Sequence, residues 1–261
     1  VPGNISFIGS GNLAWHLAPA LDNAGLVVKE VFSRNARHAE ALTARLYQAE
    51  VKATLDFSTS PSSIFMIAVN DERISEIARE IILPDDAVLV HTSGSVPLTD
   101  LQFAATSNVG VFYPLQTFTK NKKVDFKQIP IFIESANQET EMVLTAIAKG
   151  ISNQVRKIAS EERKALHVAA VFASNFTNHM LAISEDMMSQ NGLEYDWLKP
   201  LILETVNKSL LLGPREAQTG PAKRGDLEIL ERHLVFLQDD PATAEIYKIL
   251  SQHIIDKYNP E

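Results

Sequence analysis

The run Ile5-Ser6-Phe7-Ile8-Gly9 passes directly into Ser10-Gly11-Asn12-Leu13-Ala14, and this junction constrains the chain more than any other stretch. A short, largely apolar run that ends in glycine suits a buried strand. Leu13, Leu17, Ala20, Leu21 and Ala24 then recur at helical spacing from Asn12 until Gly25 stops the pattern. Each small residue of the G-x-G-x-x-A spacing has its own part. Gly9 permits the tight turn, Gly11 lets the backbone approach a pyrophosphate, and Ala14 keeps helix and strand close. The helix opens at the turn, so its free N–H groups and its dipole favour an anion there. Alone the hexapeptide is a weak sign; between a first strand and a first helix it predicts a dinucleotide site. The competing reading is a glycine turn that serves only the chain path.

Beyond this junction the pattern alternates. Strands are expected at Leu26–Ser33, around Ala53–Leu55, and at Ser63–Val69, Ala87–His91, Val109–Tyr113, Ile129–Glu134 and Val155–Ala159. Helices are expected at Ala36–Leu46, Asp71–Ile82 and Gln138–Gly150. Strands and helices in alternation argue for a Rossmann-like α/β fold, a mostly parallel sheet with helices on both faces. After Ser160 only helical periodicity remains: one long segment over Glu161–Gln190, then Leu198–Leu212, Asp226–Leu237 and Pro241–Tyr258. The expectation is a dinucleotide-binding domain over 1–158, followed by an all-α domain for substrate and dimerisation over 159–261.

Composition removes several classes of function. Among 261 residues 45% are hydrophobic and 21% charged, which is ordinary for a globular chain. The net charge of -8, with basic residues only in short groups, argues against nucleic acid as a partner. There is no cysteine, which excludes disulfides, zinc-thiolate sites and thiol catalysis. The seven histidines are scattered without carboxylates at ligand spacing, so no metal site is expected. No apolar run approaches the roughly 20 residues of a membrane span, and none has signal-peptide form; the expected compartment is the cytoplasm.

The end of the second strand chooses the cofactor. An acid there would bind the ribose 2′-hydroxyl of NAD, but the chain has Ser33-Arg34-Asn35, with Arg37 one turn on and Glu30 too early in the strand. A hydroxyl and a guanidinium suit a 2′-phosphate, which points to NADP(H), unless Arg34 is simply a solvated loop residue. The cofactor contacts expected are Gly9, Ser10, Gly11, Asn12, Leu13, Ser33, Arg34, Asn35, Val69, Asn70 and Thr92.

Ligands of open α/β sheets lie beyond the carboxyl ends of the strands. Three loops qualify: Val69-Asn70-Asp71, where Asp71 is equally a plain helix cap; His91-Thr92-Ser93-Gly94-Ser95; and Tyr113-Pro114-Leu115-Gln116-Thr117-Phe118. His91 serves either as an acid–base group or as a strand-end residue bonded to backbone. The long helix is apolar enough to be expected buried. It sets His167, Ser174 and Asn178 on nearly one face with Asn175 beside them, ready for a substrate or for a neighbouring helix. The Thr219–Asp226 loop, with two glycines and a proline, reads as a tight connection in which Asp226 caps the next helix; alternatively Thr219 or Arg224 reaches a site.

With Gly9–Ala14, His91–Ser95, Tyr113–Phe118, Ala169–Asn175 and Thr219–Asp226 assembled, the chain resembles the NADP oxidoreductase-like proteins that join a Rossmann-like domain to a helical domain of unknown function 2520. The layout is more distantly similar to pyrroline-5-carboxylate reductases and to β-hydroxyacid dehydrogenases. The latter carry a catalytic Lys one turn before an Asn; if Asn175 is that Asn, Val171 stands at the Lys position, and Lys164 is nearly three turns too early. The resemblance implies the fold and an NADP-dependent oxidoreductase; the reading adopted is action on a small carbonyl or imine, and a homodimer through the helical domain is expected because so long an apolar helix needs more cover than three short helices give. His91 or His167 would handle the proton, with Ser93, Thr92 and Asn175 positioning the substrate. Hydride exchange with a deazaflavin is a related reading that the added helical domain disfavours. The rival from another class is a non-catalytic nucleotide-binding sensor or scaffold, favoured by the missing Lys.

Overall fold

The computed structural model describes residues 3–259, so residues 1–2 of the first expected domain and 260–261 of the second lie outside it. The chain divides by compactness into two units, the first closing at Asn175 and the second opening at Phe176.

The first unit holds an eight-stranded sheet in the order β3-β2-β1-β4-β5-β6-β7-β8. Its strands are β1 (Ile5–Ile8), β2 (Val28–Phe32), β3 (Glu50–Lys52), β4 (Ile64–Ile67), β5 (Val88–His91), β6 (Val109–Pro114), β7 (Ile131–Ser135) and β8 (Val155–Lys157). Every pairing is parallel except β6 with β7. Between the strands run α1 (Asn12–Asn23), α2 (Ala36–Thr43), α3 (Ile74–Glu80) and α4 (Gln138–Ile151).

Side chains of a strand point alternately to its two faces, so a sheet covered on both sides needs apolar residues at every position. The central strands meet that demand. Ile5, Phe7, Ile64, Met66 and Val90 join one core with α1, α2 and α4, while Ile8, Phe65, Ile67 and Leu89 join a second core with α3. The order places β2 on one side of β1 and β4 on the other. The chain therefore reverses direction between β1 and β4, where α/β sheets open a crevice for ligands.

Two expected elements shift. The third strand lies at Glu50–Lys52 rather than 53–55, because that register pairs Glu50, Val51 and Lys52 with Glu30, Val31 and Phe32. The expected helix from Asp71 starts as a 3-10 turn over Asp71–Arg73 and becomes α-helical only at Ile74.

The long helical segment needs a larger correction. It begins as α5 (Ser160–Ala170), passes through a π-helical turn at Val171–Phe176, and resumes as α6 (Thr177–Gln190). A π turn takes an extra residue, so positions beyond it rotate away from a straight α-helical wheel. The single polar face expected for His167, Ser174 and Asn178 does not hold across it. The segment is not buried either: Val168 and Phe172 are exposed, and α6 has no buried residue.

The second unit continues with α7 (Lys199–Leu212), α8 (Pro214–Ala217), α9 (Pro221–Arg224), α10 (Leu227–Phe236) and α11 (Pro241–Tyr258). The Thr219–Asp226 loop contains the short α9, and Asp226 caps α10 by accepting from the Ile229 N–H at 3.4 Å. Asn259 Nδ2 donates to the Ala222 and Lys223 carbonyls, tying the end of α11 to α9. Neither α7 nor α11 has a buried residue, and Leu210 and Leu211 are 82% and 83% exposed. Among the described residues no helix is long and apolar enough to cross a membrane.

Candidate active site

Register places the candidate residues along one edge. Phe32, Ile8, Ile67, His91 and Val111 stand in one row across five strands. The residues just beyond that row are Ser33, Gly9 and Ser10, Ala68 and Val69, Thr92 and Ser93, and Tyr113.

Gly9 and Gly11 are glycines for different reasons. Gly9 has φ +116°, and a Cβ there would lie 2.1 Å from the Ala68 carbonyl oxygen. The turn between β1 and α1 therefore cannot form with any other residue. Gly11 has an ordinary φ of -71°, and a Cβ would meet only Ala68 O at 4.0 Å. Nothing inside the chain requires the bare backbone at Gly11. Helix α1 also lacks a side-chain cap and an acid in its first turn, whereas α2, α4, α10 and α11 are capped by Asn35, Asn137, Asp226 and Asp240. Its first N–H groups remain available to an anion.

Beside this turn Ser10 Oγ donates to Ser33 Oγ at 2.9 Å, linking the ends of β1 and β2. Arg34 and Asn35 are exposed just beyond, and Asn12 is exposed at the start of α1. Glu30, the nearby acid of β2, is committed elsewhere. It accepts from Ser6 at 2.9 Å and from Ser60, and pairs with Lys52 at 3.3 Å. Val69 is half-buried and Asn70 exposed at the end of β4. The Thr92 hydroxyl is buried and donates to the Ile67 carbonyl at 3.2 Å.

The loop after β5 is built largely for its own shape. His91 is fully buried, and its Nδ1 accepts from the Ser93 N–H at 3.2 Å. Its Nε2 has no hydrogen-bond partner of ordinary geometry. Burial, reinforced by the Arg163 charge and opposed by Asp71, drives its pKa down to about 3. His91 thus has the surroundings of a strand-end residue bonded to backbone, one of its two expected readings, and burial favours its neutral form. Ser93 Oγ accepts from the Ser95 and Val96 N–H groups at 3.1 and 3.0 Å, and Ser95 Oγ donates to Asp71.

His167 and Tyr113 come together over this loop. Tyr113 Oη and His167 Nδ1 are 3.1 Å apart, with ring centroids at 6.0 Å. Gly94 makes room for both: a Cβ there would lie 2.4 Å from His167 Nδ1 and 2.7 Å from Tyr113 Cζ. Burial pushes the Tyr113 hydroxyl's pKa up, with Arg163 opposing and Asp71 adding to the rise. Asn175, eight residues after His167 in the π turn, is exposed and shares no hydrogen bond with this group.

Arg163, Glu134 and Ser160, which sequence reasoning did not single out, complete the arrangement. Arg163 is fully buried one turn before His167. Its Nη1 donates to the Ser93 carbonyl and its Nη2 to Glu134 Oε2, both at 2.9 Å. Ser160 Oγ donates to the same Glu134 carboxylate at 2.7 Å. This anchor fixes α5 against the β5 loop and so sets His167 on Tyr113. Tyr113 was named in the loop after β6, but its partner His167 was not visible in the sequence. A lone Arg at i-4 from a helical His was the available signal for the anchor.

Comparison with known proteins places this architecture. Residues 129–254 match the model of the domain of unknown function 2520. No curated protein matches the sequence. A candidate NADP oxidoreductase of Bacteroides fragilis is 39% identical, with a TM-score of 0.89 and 97% of this chain and 98% of that one covered. A Thermotoga maritima protein is 23% identical over 96% of each chain, with a TM-score of 0.69. A reductive aminase of Aspergillus terreus, solved with NADPH and ethyl levulinate, shares the fold at 14% identity and a TM-score of 0.72, covering 97% of this chain and 93% of that one. The chain belongs to the family of the Bacteroides protein; its match to the domain of unknown function 2520 begins in the last strands of the Rossmann-like sheet and runs through the helices that follow.

Proposed function

We propose that this chain is an NADP(H)-dependent oxidoreductase that exchanges hydride between the nicotinamide and a small carbonyl or imine compound. The observation that carries the proposal is Gly11, a glycine that neither conformation nor crowding demands, at the uncapped start of α1. Its bare backbone serves a group approaching from outside, and a pyrophosphate suits both the open N–H groups and the dipole.

In this reading Gly9 through Leu13 hold the pyrophosphate. Ser10, Ser33, Arg34 and Asn35 hold the adenosine ribose and its 2′-phosphate. Val69, Asn70 and the Thr92 backbone border the nicotinamide. The commitment of Glu30 to Ser6, Ser60 and Lys52 leaves no acid at the end of β2 for a free ribose 2′-hydroxyl, which favours NADP over NAD. The Bacteroides relative, described as a candidate NADP oxidoreductase, supports the same choice. When bound, the cofactor supplies or accepts hydride at its C4 carbon, while the protein orients it and keeps water out. Asn175 and the β5 loop are assigned to substrate.

Calorimetry with NADPH and NADH tests this directly. NADPH binding that weakens at least tenfold in Arg34→Asp, with NADH weaker in the wild type, is the expected result. Absence of binding by either nucleotide overturns the proposal.

The active form is assigned as a homodimer through the helical unit. Helices α6, α7 and α11 contain no buried residue, α7 carries the exposed Leu201, Leu203, Leu210 and Leu211, and a second copy supplies the cover such a surface needs.

A further inference from the structure

We propose that Tyr113 is the catalytic acid, that His167 restores its proton, and that the substrate is reduced at a carbonyl rather than at an imine carbon. The proposal rests on the oxidoreductase reading above and deepens it. Its basis is the Tyr113–His167 pair at the ligand edge of the sheet, together with the glycine that makes room for it.

The row that contains Ile8, Ile67 and His91 continues to Val111, so Tyr113 lies at the same strand ends as Gly9. No positive φ explains Gly94, and the space denied to a Cβ there is taken by the His167 and Tyr113 rings. The sequence has given up a side chain so that these two groups can meet. The anchor at Arg163 serves the same contact, because it holds both the Ser93 carbonyl beside Gly94 and the helix that carries His167. The other polar groups of the loop are occupied or, like His91 Nε2, fully buried. His91 is buried and bonded to the Ser93 N–H, Ser93 accepts two backbone N–H groups, and the Arg163 charge is matched by Glu134.

The chemistry of the product selects the substrate class. Hydride addition to a carbonyl carbon converts the C=O π bond into a lone pair on oxygen, and that alkoxide needs a proton within the site. Hydride addition to a protonated imine gives a neutral amine that needs none. A phenol whose own ionisation is suppressed by burial stays protonated at neutral pH and is suited to protonating the alkoxide. In the step, the Tyr113 O–H bond breaks and an O–H bond forms on the substrate. A proton from water then reaches the half-buried His167 ring, the ring passes its Nδ1 proton to the tyrosinate, and it returns to the Nε2–H form. NADPH supplies the hydride, and each turnover consumes one hydride and one proton.

The test uses the full chain with NADPH and follows absorbance at 340 nm. The ketone probes are pyruvate, acetoacetate, ethyl levulinate and cyclohexanone, and the imine probe is 1-pyrroline. We expect at least one ketone to be reduced. Tyr113→Phe should lower kcat by about 10²- to 10⁴-fold, with the NADPH Kd from calorimetry within threefold of wild type. Gly94→Ala, which drives the imidazole off the hydroxyl, should do the same. A readout that needs no turnover is nitrogen-15 NMR of the His167 ring. Neutral wild type should show the Nε2–H tautomer, with Nδ1 accepting from Tyr113, and Tyr113→Phe should lose that preference. Should either variant fail to fold, the other variant and the wild-type tautomer decide. Ketone turnover in Tyr113→Phe within fivefold of wild type overturns the proposal. So does an Nδ1–H tautomer in the wild type, or a protein that binds NADPH but reduces only 1-pyrroline or none of the probes. Failure to bind NADPH removes the nucleotide reading instead.

Discussion

Acid should weaken the first unit through His91, and the size of the effect follows from its surroundings. The imidazole is fully buried and neutral, with a pKa of about 3 against 6.5 for a free histidine. A histidine whose folded pKa is depressed contributes stability that is fully present above pH 6.5 and is lost as pH falls toward 3. At pH 5 the unfolded imidazole is almost wholly protonated while the folded one is still neutral. The unfolded state then gains about 2 kcal/mol relative to pH 7. That is a large share of the roughly 5–15 kcal/mol by which domains are stable. The perturbation is His91→Asn, whose Oδ1 can replace Nδ1 as acceptor for the Ser93 N–H and which does not titrate. The assay is urea unfolding at pH 7 and pH 5 in a Trp197→Phe background, so that Trp15 reports on the first unit alone. The variant is less stable at pH 7 because it leaves a cavity, but it should lose about 2 kcal/mol less than wild type between the two pH values. Other titrating groups contribute to both proteins and cancel in the difference. Equal losses, within about 0.5 kcal/mol, would show that His91 is not the buried neutral group described, and the case for moving the proton role to Tyr113 would lose one of its supports.

Four further outcomes follow from particular contacts. Gly9→Ala should destabilise the first unit by at least about 2 kcal/mol, since it combines a positive φ with a clash against Ala68 O. Gly11→Ala should instead change stability by less than about 0.5 kcal/mol while weakening NADPH at least tenfold, which calorimetry and urea unfolding separate. Arg163→Met should cost about 3–5 kcal/mol by leaving the Glu134 carboxylate without its buried partner, and adding Glu134→Leu should recover much of that loss. Sedimentation at micromolar concentration should show a dimer that Leu210→Glu converts to monomer, and a wild-type monomer would refute the assigned interface.

The parts of this fold that were legible in the sequence are those that repeat or that tolerate one residue type. The central strands were placed because a sheet covered on both faces demands apolar residues at consecutive positions, as in Ile64–Ile67. Gly9 was legible because its backbone admits nothing else. The edge strand Glu50–Lys52 was misplaced by a few residues because only its register with β2 defines it. The π turn at Val171–Phe176 could not be read, since one extra residue per turn leaves no mark on composition and shifts periodicity only beyond the turn. That one feature undid the polar face inferred for His167, Ser174 and Asn178.

The site was harder to read than the fold because its decisive contacts join residues far apart in the chain. Tyr113 and His167 are separated by 54 positions, and Arg163 lies 70 positions from the carbonyl it holds. In sequence Arg163 sits among Glu161, Glu162 and Lys164, where a charged residue in the first turn of a helix resembles a solvated face. Only the folded chain shows that its side chain enters the protein while those neighbours stay outside. Its charge depresses His91 and opposes the rise at Tyr113, so the same guanidinium that sets the position of α5 also tunes both candidate proton groups. The two histidines that looked equivalent in the sequence are separated by that placement. Full burial and the guanidinium favour the neutral form of His91, while the half-buried His167, one turn along the helix that Arg163 anchors, keeps a hydrogen-bonded path to the tyrosine at the strand ends.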